Sequence, residues 1–137
     1  MSEPNSVTLV RDAIHNPDEP RHFMRVVPAP ARQVAVAAGR RIASSERAVV
    51  VKEVGRDIYD PVVYFPRDDV DMASLVGIDK STYCPLKGDT EYFDIVLDDD
   101  RLSEAAWSYV TMRLGDELKD LIAFDPRQVH VGADVDR

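Results

Sequence analysis

The chain has 137 residues, 45% hydrophobic and 31% charged, a balance that suits one folded domain and argues against wholesale disorder. Its net charge is −8, spread as +3 through Arg56 and −11 from Asp57 onward. That excess of acid argues against a nucleic-acid binder, because phosphate affinity comes from basic surface. Cys84 is the single cysteine, so no intrachain disulfide and no cysteine-pair zinc knuckle can form. His15, His22 and His130 are too scattered in sequence to suggest a metal cluster, and neither a metal nor a cofactor is expected. No apolar run approaches the roughly 20 residues of a membrane helix. The start, Met1 to Ser6, lacks the basic-then-apolar pattern of a secretory signal. The expectation is a soluble cytoplasmic chain with no membrane partner and an open oligomeric state.

In chain order, residues 1–20 read as a flexible tail. Asn16-Pro17-Asp18-Glu19-Pro20 breaks helix and strand alike, and Val7 to Ile14 offers at most one helical turn outside the core. A single compact domain is expected over residues 21–132, with a loose tail over 133–137. Strand texture begins at His22 and is stopped by Pro28-Ala29-Pro30. Val34 and Val36 lead to a hairpin turn at Ala38-Gly39-Arg40, where Gly39 can take positive φ. Ala48 to Val54 is a β-branched buried strand, and Pro61 to Phe65 is a short one. Asp68 to Leu75 reads as a short helix with aspartates at its positive end. Ser81 to Asp89 is a structured loop, Tyr92 to Leu97 a strand, Asp98-Asp99-Asp100 a tight turn, and Leu102 to Tyr109 the returning strand. Gly115 to Ile122 puts Leu118, Leu121 and Ile122 on one helical face. Ala123-Phe124 and Val129-His130-Val131 flank a turn and read as a final hairpin, with His130 facing outward. The sum is a mainly β fold: antiparallel strands in two packed sheets or a small open barrel, with two short helices.

Phosphate-loop, dinucleotide-binding and nucleophile-elbow motifs are absent. Three stretches stand out: Tyr64-Phe65-Pro66-Arg67-Asp68, Thr82-Tyr83-Cys84-Pro85-Leu86-Lys87-Gly88-Asp89, and Ala105-Ala106-Trp107-Ser108-Tyr109. With Tyr92 they hold the only Trp, the only Cys and most of the tyrosines.

Those stretches, with Val63 to Val70, Glu104 to Tyr109 and Ala123-Phe124 in this order, resemble the domain of unknown function 427 family, which also carries a nucleotidyltransferase-like label. The resemblance spans roughly His22 to Val131 and implies a compact, mainly β domain without an established reaction. Two departures are visible. Asp98-Asp99-Asp100 stands where the family commonly has a glycine-rich turn, and Tyr83 stands where it commonly has histidine, which removes a thiol–imidazole dyad built on that neighbour. The paired carboxylates beside a phosphate-binding turn that nucleotidyl transfer uses have no counterpart in the motifs.

The candidate catalytic residues are Cys84, as a nucleophile or redox thiol, and Lys87, as electrophilic support. Against this, Cys84 suits a small buried residue, and Lys87 suits a charge paired with Asp89 or Glu91. Candidate ligand-binding residues are Tyr64, Arg67, Thr82, Lys87, Gly88, Tyr92, Trp107 and Tyr109. Trp107 and Tyr109 share a strand face, and with Tyr64 they would wall a pocket for a partly planar ligand or, alternatively, make an aromatic core. Lys87 beside the amides around Gly88 suits an anion. Arg67 suits a carboxylate or phosphate, or a pair with Asp68, Asp69 or Asp71. Three functions fit these residues: a small-molecule binding domain, an enzyme using Cys84 or Lys87, and a plain interaction domain.

Overall fold

The structure is a computed structural model and describes residues 9–134. Its strands run in chain order as β1 (Ile14–Asn16), β2 (Glu19–Pro28), β3 (Gln33–Ala37), β4 (Arg40–Ser45), β5 (Val49–Val54) and β6 (Val62–Tyr64). They continue as β7 (Leu75–Ile78), β8 (Tyr83–Cys84), β9 (Gly88–Leu97), β10 (Asp100–Met112), β11 (Ile122–Phe124) and β12 (Val129–Ala133). Among the described residues every pair of these strands is antiparallel, as the close spacing of the strands predicted.

Among the described residues the strands form three sheets, where two packed sheets or a small open barrel were expected, and no closed barrel is formed. A four-stranded sheet has the order β1-β2-β5-β6, a five-stranded one β11-β10-β9-β7 with β8 also on β9, and a three-stranded one β12-β3-β4. Phe65 and Ile122 exchange backbone hydrogen bonds of 2.8 Å and stitch the end of β6 to β11. One apolar core packs the three-stranded sheet against one face of the five-stranded sheet, through Ala35, Ile42, Phe93, Ile95, Ala106 and Phe124 among others. A second core lies on the other face and joins Met24, Val51 and Tyr64 of the four-stranded sheet to Leu86, Tyr109, Leu118 and Ala123.

The two hairpin turns read from the sequence are present. Ala38 and Gly39 both take positive φ, 48° and 77°, as a two-residue connection between right-twisted strands demands. Asp98, at φ 45°, turns β9 into β10.

Four expectations need correction. The segment after Asp68 is two single 3-10 turns, Arg67–Asp69 and Met72–Ser74, and not a helix. Gly115 to Ile122 is not helical either. Gly115 and Asp120 sit at φ 74° and 64° and interrupt any helical path, and the local bonds are Lys119 N–H to Asp116 and Leu121 N–H to Leu118, three residues apart. The final hairpin does not exist, because β11 pairs with β10 while β12 crosses to β3. Finally, the expected tail runs into the sheet. Ile14–Asn16 pairs with β2, and Ile14 packs on the second core. Residues 1–8 and 135–137 of the expected tails lie outside the described residues.

Candidate functional site

Strand parity builds the site. On β10, Ala106 turns toward the first core while Trp107 and Tyr109 turn the other way, toward the second. Tyr92 lies directly opposite Trp107 in the β9–β10 register, so the two rings share a face, 6.3 Å between centroids. From the facing sheet, β6 supplies Tyr64. Its ring lies 6.4 Å from that of Tyr109, and its hydroxyl accepts a 3.4 Å hydrogen bond from the Trp107 indole N–H. Burial pushes the Tyr64 hydroxyl above its ordinary pKa range, and the Trp107 bond pulls modestly the other way. Burial also raises Tyr109. Both phenols are therefore neutral donors at physiological pH.

These rings wall an open cleft of about 530 Å³ that also takes in Tyr59, Lys80, Glu104 and the turn Asp125–Gln128. At its rim Lys80 pairs with Glu104 at 2.5 Å and stands 4.5 Å above the Tyr92 ring. Trp107 is half-buried, whereas Tyr64 is buried in the second core.

The floor is polar. β8 ends at Cys84, and the turn Cys84-Pro85-Leu86-Lys87 closes with the Lys87 N–H donating to the Cys84 carbonyl at 3.2 Å. That turn aims the Lys87 ammonium back inside, 4.0 Å from the Cys84 Sγ and 5.8 Å from the Tyr109 ring centroid. There it pairs with Glu53 Oε1 of β5. The other carboxylate oxygen, Oε2, takes a 2.7 Å hydrogen bond from His22 Nε2 of β2. Side-chain exposure is 7% for Lys87, 16% for Glu53 and 18% for His22, so a charged network lies under the aromatic walls. Burial alone raises the Glu53 pKa. The hydrogen bond and charge of Lys87, helped by His22, more than reverse this and hold the carboxyl below its usual value.

Lys87, Tyr64, Tyr92, Trp107 and Tyr109 thus meet at one cleft. Three other candidates do not. Arg67 lies across the sheet, donating to the Asp120 carbonyl at 2.7 Å and to the Ser108 hydroxyl at 3.1 Å, with Glu91 at 3.5 Å. It neither faces the cleft nor pairs with Asp68, Asp69 or Asp71. Thr82 is exposed and bonds to Thr90 (2.8 Å) and, at 3.4 Å, to the Tyr92 hydroxyl, so it steadies a wall without lining the cleft. Gly88 lies in the ladder, registered with Cys84 on one side and Met112 on the other, so its backbone forms no open anion nest. Lys87 pairs with Glu53 rather than with Asp89 or Glu91.

Two participants escaped sequence reasoning. Glu53 follows Val49 and Val51 on the inward parity of β5, and a lone carboxylate at that spacing was the available signal. His22 shares the inward parity of Met24, which is fully buried. Tyr83, by contrast, is 59% exposed and points away from the thiol next to it. A histidine there would not reach the thiol on this backbone. The imidazole near Cys84 comes instead from His22, six strands earlier in the chain.

With this geometry in place, the comparison with protein families is informative: the profile described as Domain of unknown function (DUF427) matches residues 25–135. The chain belongs to that family. The DUF427 match includes Glu53, Tyr64, Cys84, Lys87, Tyr92, Trp107 and Tyr109 and leaves His22 just outside. A comparison with curated proteins finds no match. Among the described residues, no helix is long and apolar enough to cross a membrane.

Proposed function

We propose that this DUF427 domain binds a small, partly planar molecule in the cleft walled by Tyr64, Tyr92, Trp107 and Tyr109. The observation that carries the reading is the convergence of four aromatic side chains on open volume above a buried polar group. A mere aromatic core would be filled, and a cleft of this size matches ordinary ligand sites. The rings supply stacking area, and neutral phenol hydroxyls supply directional hydrogen bonds. Lys87 is already neutralised by Glu53, so it serves the ligand's polar end as half of a pair. A ligand group with both donor and acceptor character, such as an amide, a heterocycle edge or a carboxylic acid, suits that pair better than a bare anion.

Trp107 is the only tryptophan and therefore an intrinsic reporter. Screening planar heterocycles and aromatic acids by tryptophan fluorescence and ligand-detected NMR is expected to yield binders that Trp107→Ala abolishes. Because Trp107 is half-buried, the same substitution should cost about 1–3 kcal/mol, less than the roughly 3–5 of a fully buried aromatic. A variant that keeps both full stability and ligand binding would refute the site.

Catalysis through Cys84 is the second reading, favoured by the Lys87 ammonium 4.0 Å from its sulfur. Cys84 is only half-buried, yet it sits under the Cys84–Lys87 turn, so labelling of the native thiol is expected to be slow and to accelerate on unfolding. Fast stoichiometric labelling near neutral pH would favour the enzyme, since only an accessible thiolate reacts that way.

A further inference from the structure

We propose that His22, Glu53 and Cys84 form a three-ligand site for a divalent metal of the zinc class. The proposal stands on different atoms from the aromatic walls, and neither reading requires the other.

One ligand atom from each of the three residues lies within 4.8 Å of the other two. Each comes from a different strand: His22 from β2, Glu53 from β5 and Cys84 from β8. β2 and β5 are hydrogen-bonded neighbours, with Met24 registered on Glu53, so two of the ligands ride on one sheet. The third hangs from a two-residue strand locked to β9 by its register. Imidazole nitrogen, thiolate sulfur and carboxylate oxygen together make a set that suits zinc and its neighbours, and hard cations poorly.

The distances are near those required. Tetrahedral zinc with these donors places them about 3.3–3.6 Å apart, from bond lengths of about 2.0–2.3 Å. His22 Nε2 and Glu53 Oε2 now share a hydrogen at 2.7 Å. A metal would replace that hydrogen, spread the pair by roughly half an ångström and draw the thiolate in by up to about 1.5 Å. Side-chain rotation suffices for shifts of that size.

Lys87 opposes the metal by charge but helps it by geometry. It holds Glu53 through Oε1, the oxygen that His22 does not use. It thereby fixes the carboxylate for one-oxygen ligation through Oε2, as outer partners of metal ligands commonly do. A divalent ion with one thiolate and one carboxylate is neutral, and Lys87 leaves the group at +1. The ionised thiol gains from the same ammonium, 4.0 Å away. Three protein ligands leave a further position, as in catalytic and not structural zinc sites. His22 also lines a second cleft, of about 600 Å³, with Asn16, Tyr59 and Pro85, through which a water or a small ligand would reach it.

The test is cobalt(II) titration of the full chain, reduced and stripped with chelator. The proposal expects one ion per chain, a thiolate-to-cobalt charge-transfer band, displacement by zinc and release of the thiol proton. Cys84→Ser should remove the band. His22→Gln keeps the thiol and should weaken binding at least ~10-fold, since loss of an outer partner alone costs about that much. Circular dichroism checks that both variants fold, and nuclear magnetic resonance of the wild type should show the His22 and Cys84 signals moving together on zinc addition. No charge-transfer band in the wild type, or unchanged affinity in His22→Gln, would overturn the site. Failure here leaves the aromatic cleft's ligand screen untouched, because that screen is run without metal.

Discussion

Glu53→Ala is expected to destabilise the fold by about 3–5 kcal/mol, the range for removing one partner of a buried ion pair. The reason lies in what remains. Lys87, 7% exposed, would be left with no counter-ion, and its nearest surroundings would be the Tyr109 ring and the Cys84 sulfur. His22 would lose its acceptor as well. Desolvating an unpaired ammonium is far costlier than losing a surface contact. Urea denaturation at neutral pH measures the loss directly. A cost under about 1 kcal/mol, the value of an exposed pair, would show that water reaches Lys87 and that the polar floor is open. The double variant Glu53→Leu with Lys87→Met should recover most of the stability, because a buried pair exchanged for apolar residues of similar volume is often neutral or better. Such recovery would show that the pair adds little net stability over an apolar replacement.

The same pair gives a pH signature. The Glu53 carboxyl titrates below its ordinary 4.5 in the folded chain, because Lys87 and His22 outweigh the effect of burial. A depressed carboxylate contributes stability that is fully present above the unfolded value and is lost as pH falls through the folded one. The stability gap between the wild type and Glu53→Gln should therefore hold steady from neutral pH down to about 4.5 and narrow below it. Asp94, held down by the Glu104 amide and Arg101, adds acid sensitivity of the same sign. Only the comparison with Glu53→Gln isolates the floor of the cleft.

Much of this fold was legible because strand alternation is local. Val49–Val54 and Val62–Tyr64 declare themselves as short β-branched runs, and the long β9–β10 hairpin through period two and a turn. What stayed hidden was of two kinds. The apolar spacing of Leu118, Leu121 and Ile122 fits a helix, yet it is met by a looped segment that buries Leu118 between positive-φ residues at 115 and 120 and then runs into β11, whose first residue, Ile122, is buried. Periodicity cannot tell these apart. The second kind is partner choice. Nothing local in Val129–Ala133 says that it pairs with Gln33–Ala37 instead of its neighbour β11. The site divides in the same way. Trp107, Tyr109 and Tyr64 are found by parity and aromatic chemistry, whereas Glu53 and His22 join Lys87 only when β2, β5 and the β8 turn are brought together.

Gly88→Ala is expected to cost more than about 3 kcal/mol and to dismantle the floor of the cleft. Two penalties add at this position. Its φ of 129° is a conformation that an L side chain adopts only under strain, at about 1–3 kcal/mol. A Cβ there would also lie 1.9 Å from the Thr111 carbonyl oxygen, a backbone atom that cannot rotate aside. Relief requires β9 to part from β10 beside Met112, and the residue just before the break is Lys87, whose own carbonyl accepts from the Arg113 N–H at 2.9 Å. The Lys87 ammonium would then be withdrawn from Glu53. Two other glycines calibrate the effect. Gly77 has ordinary φ and open space around its would-be Cβ, so Gly77→Ala should fall within about 1 kcal/mol of the wild type and lean toward stabilising. Gly39, at φ 77° with nothing nearby, carries strain without collision, so Gly39→Ala should cost about 1 kcal/mol. Denaturant midpoints for the three variants should rank Gly77→Ala above Gly39→Ala above Gly88→Ala. Amide exchange should accelerate in Gly88→Ala first along 83–89 and 109–113. If Gly88→Ala ranks with Gly39→Ala, the β9–β10 approach is looser than described, and Lys87 is held by Glu53 alone rather than by the turn that delivers it.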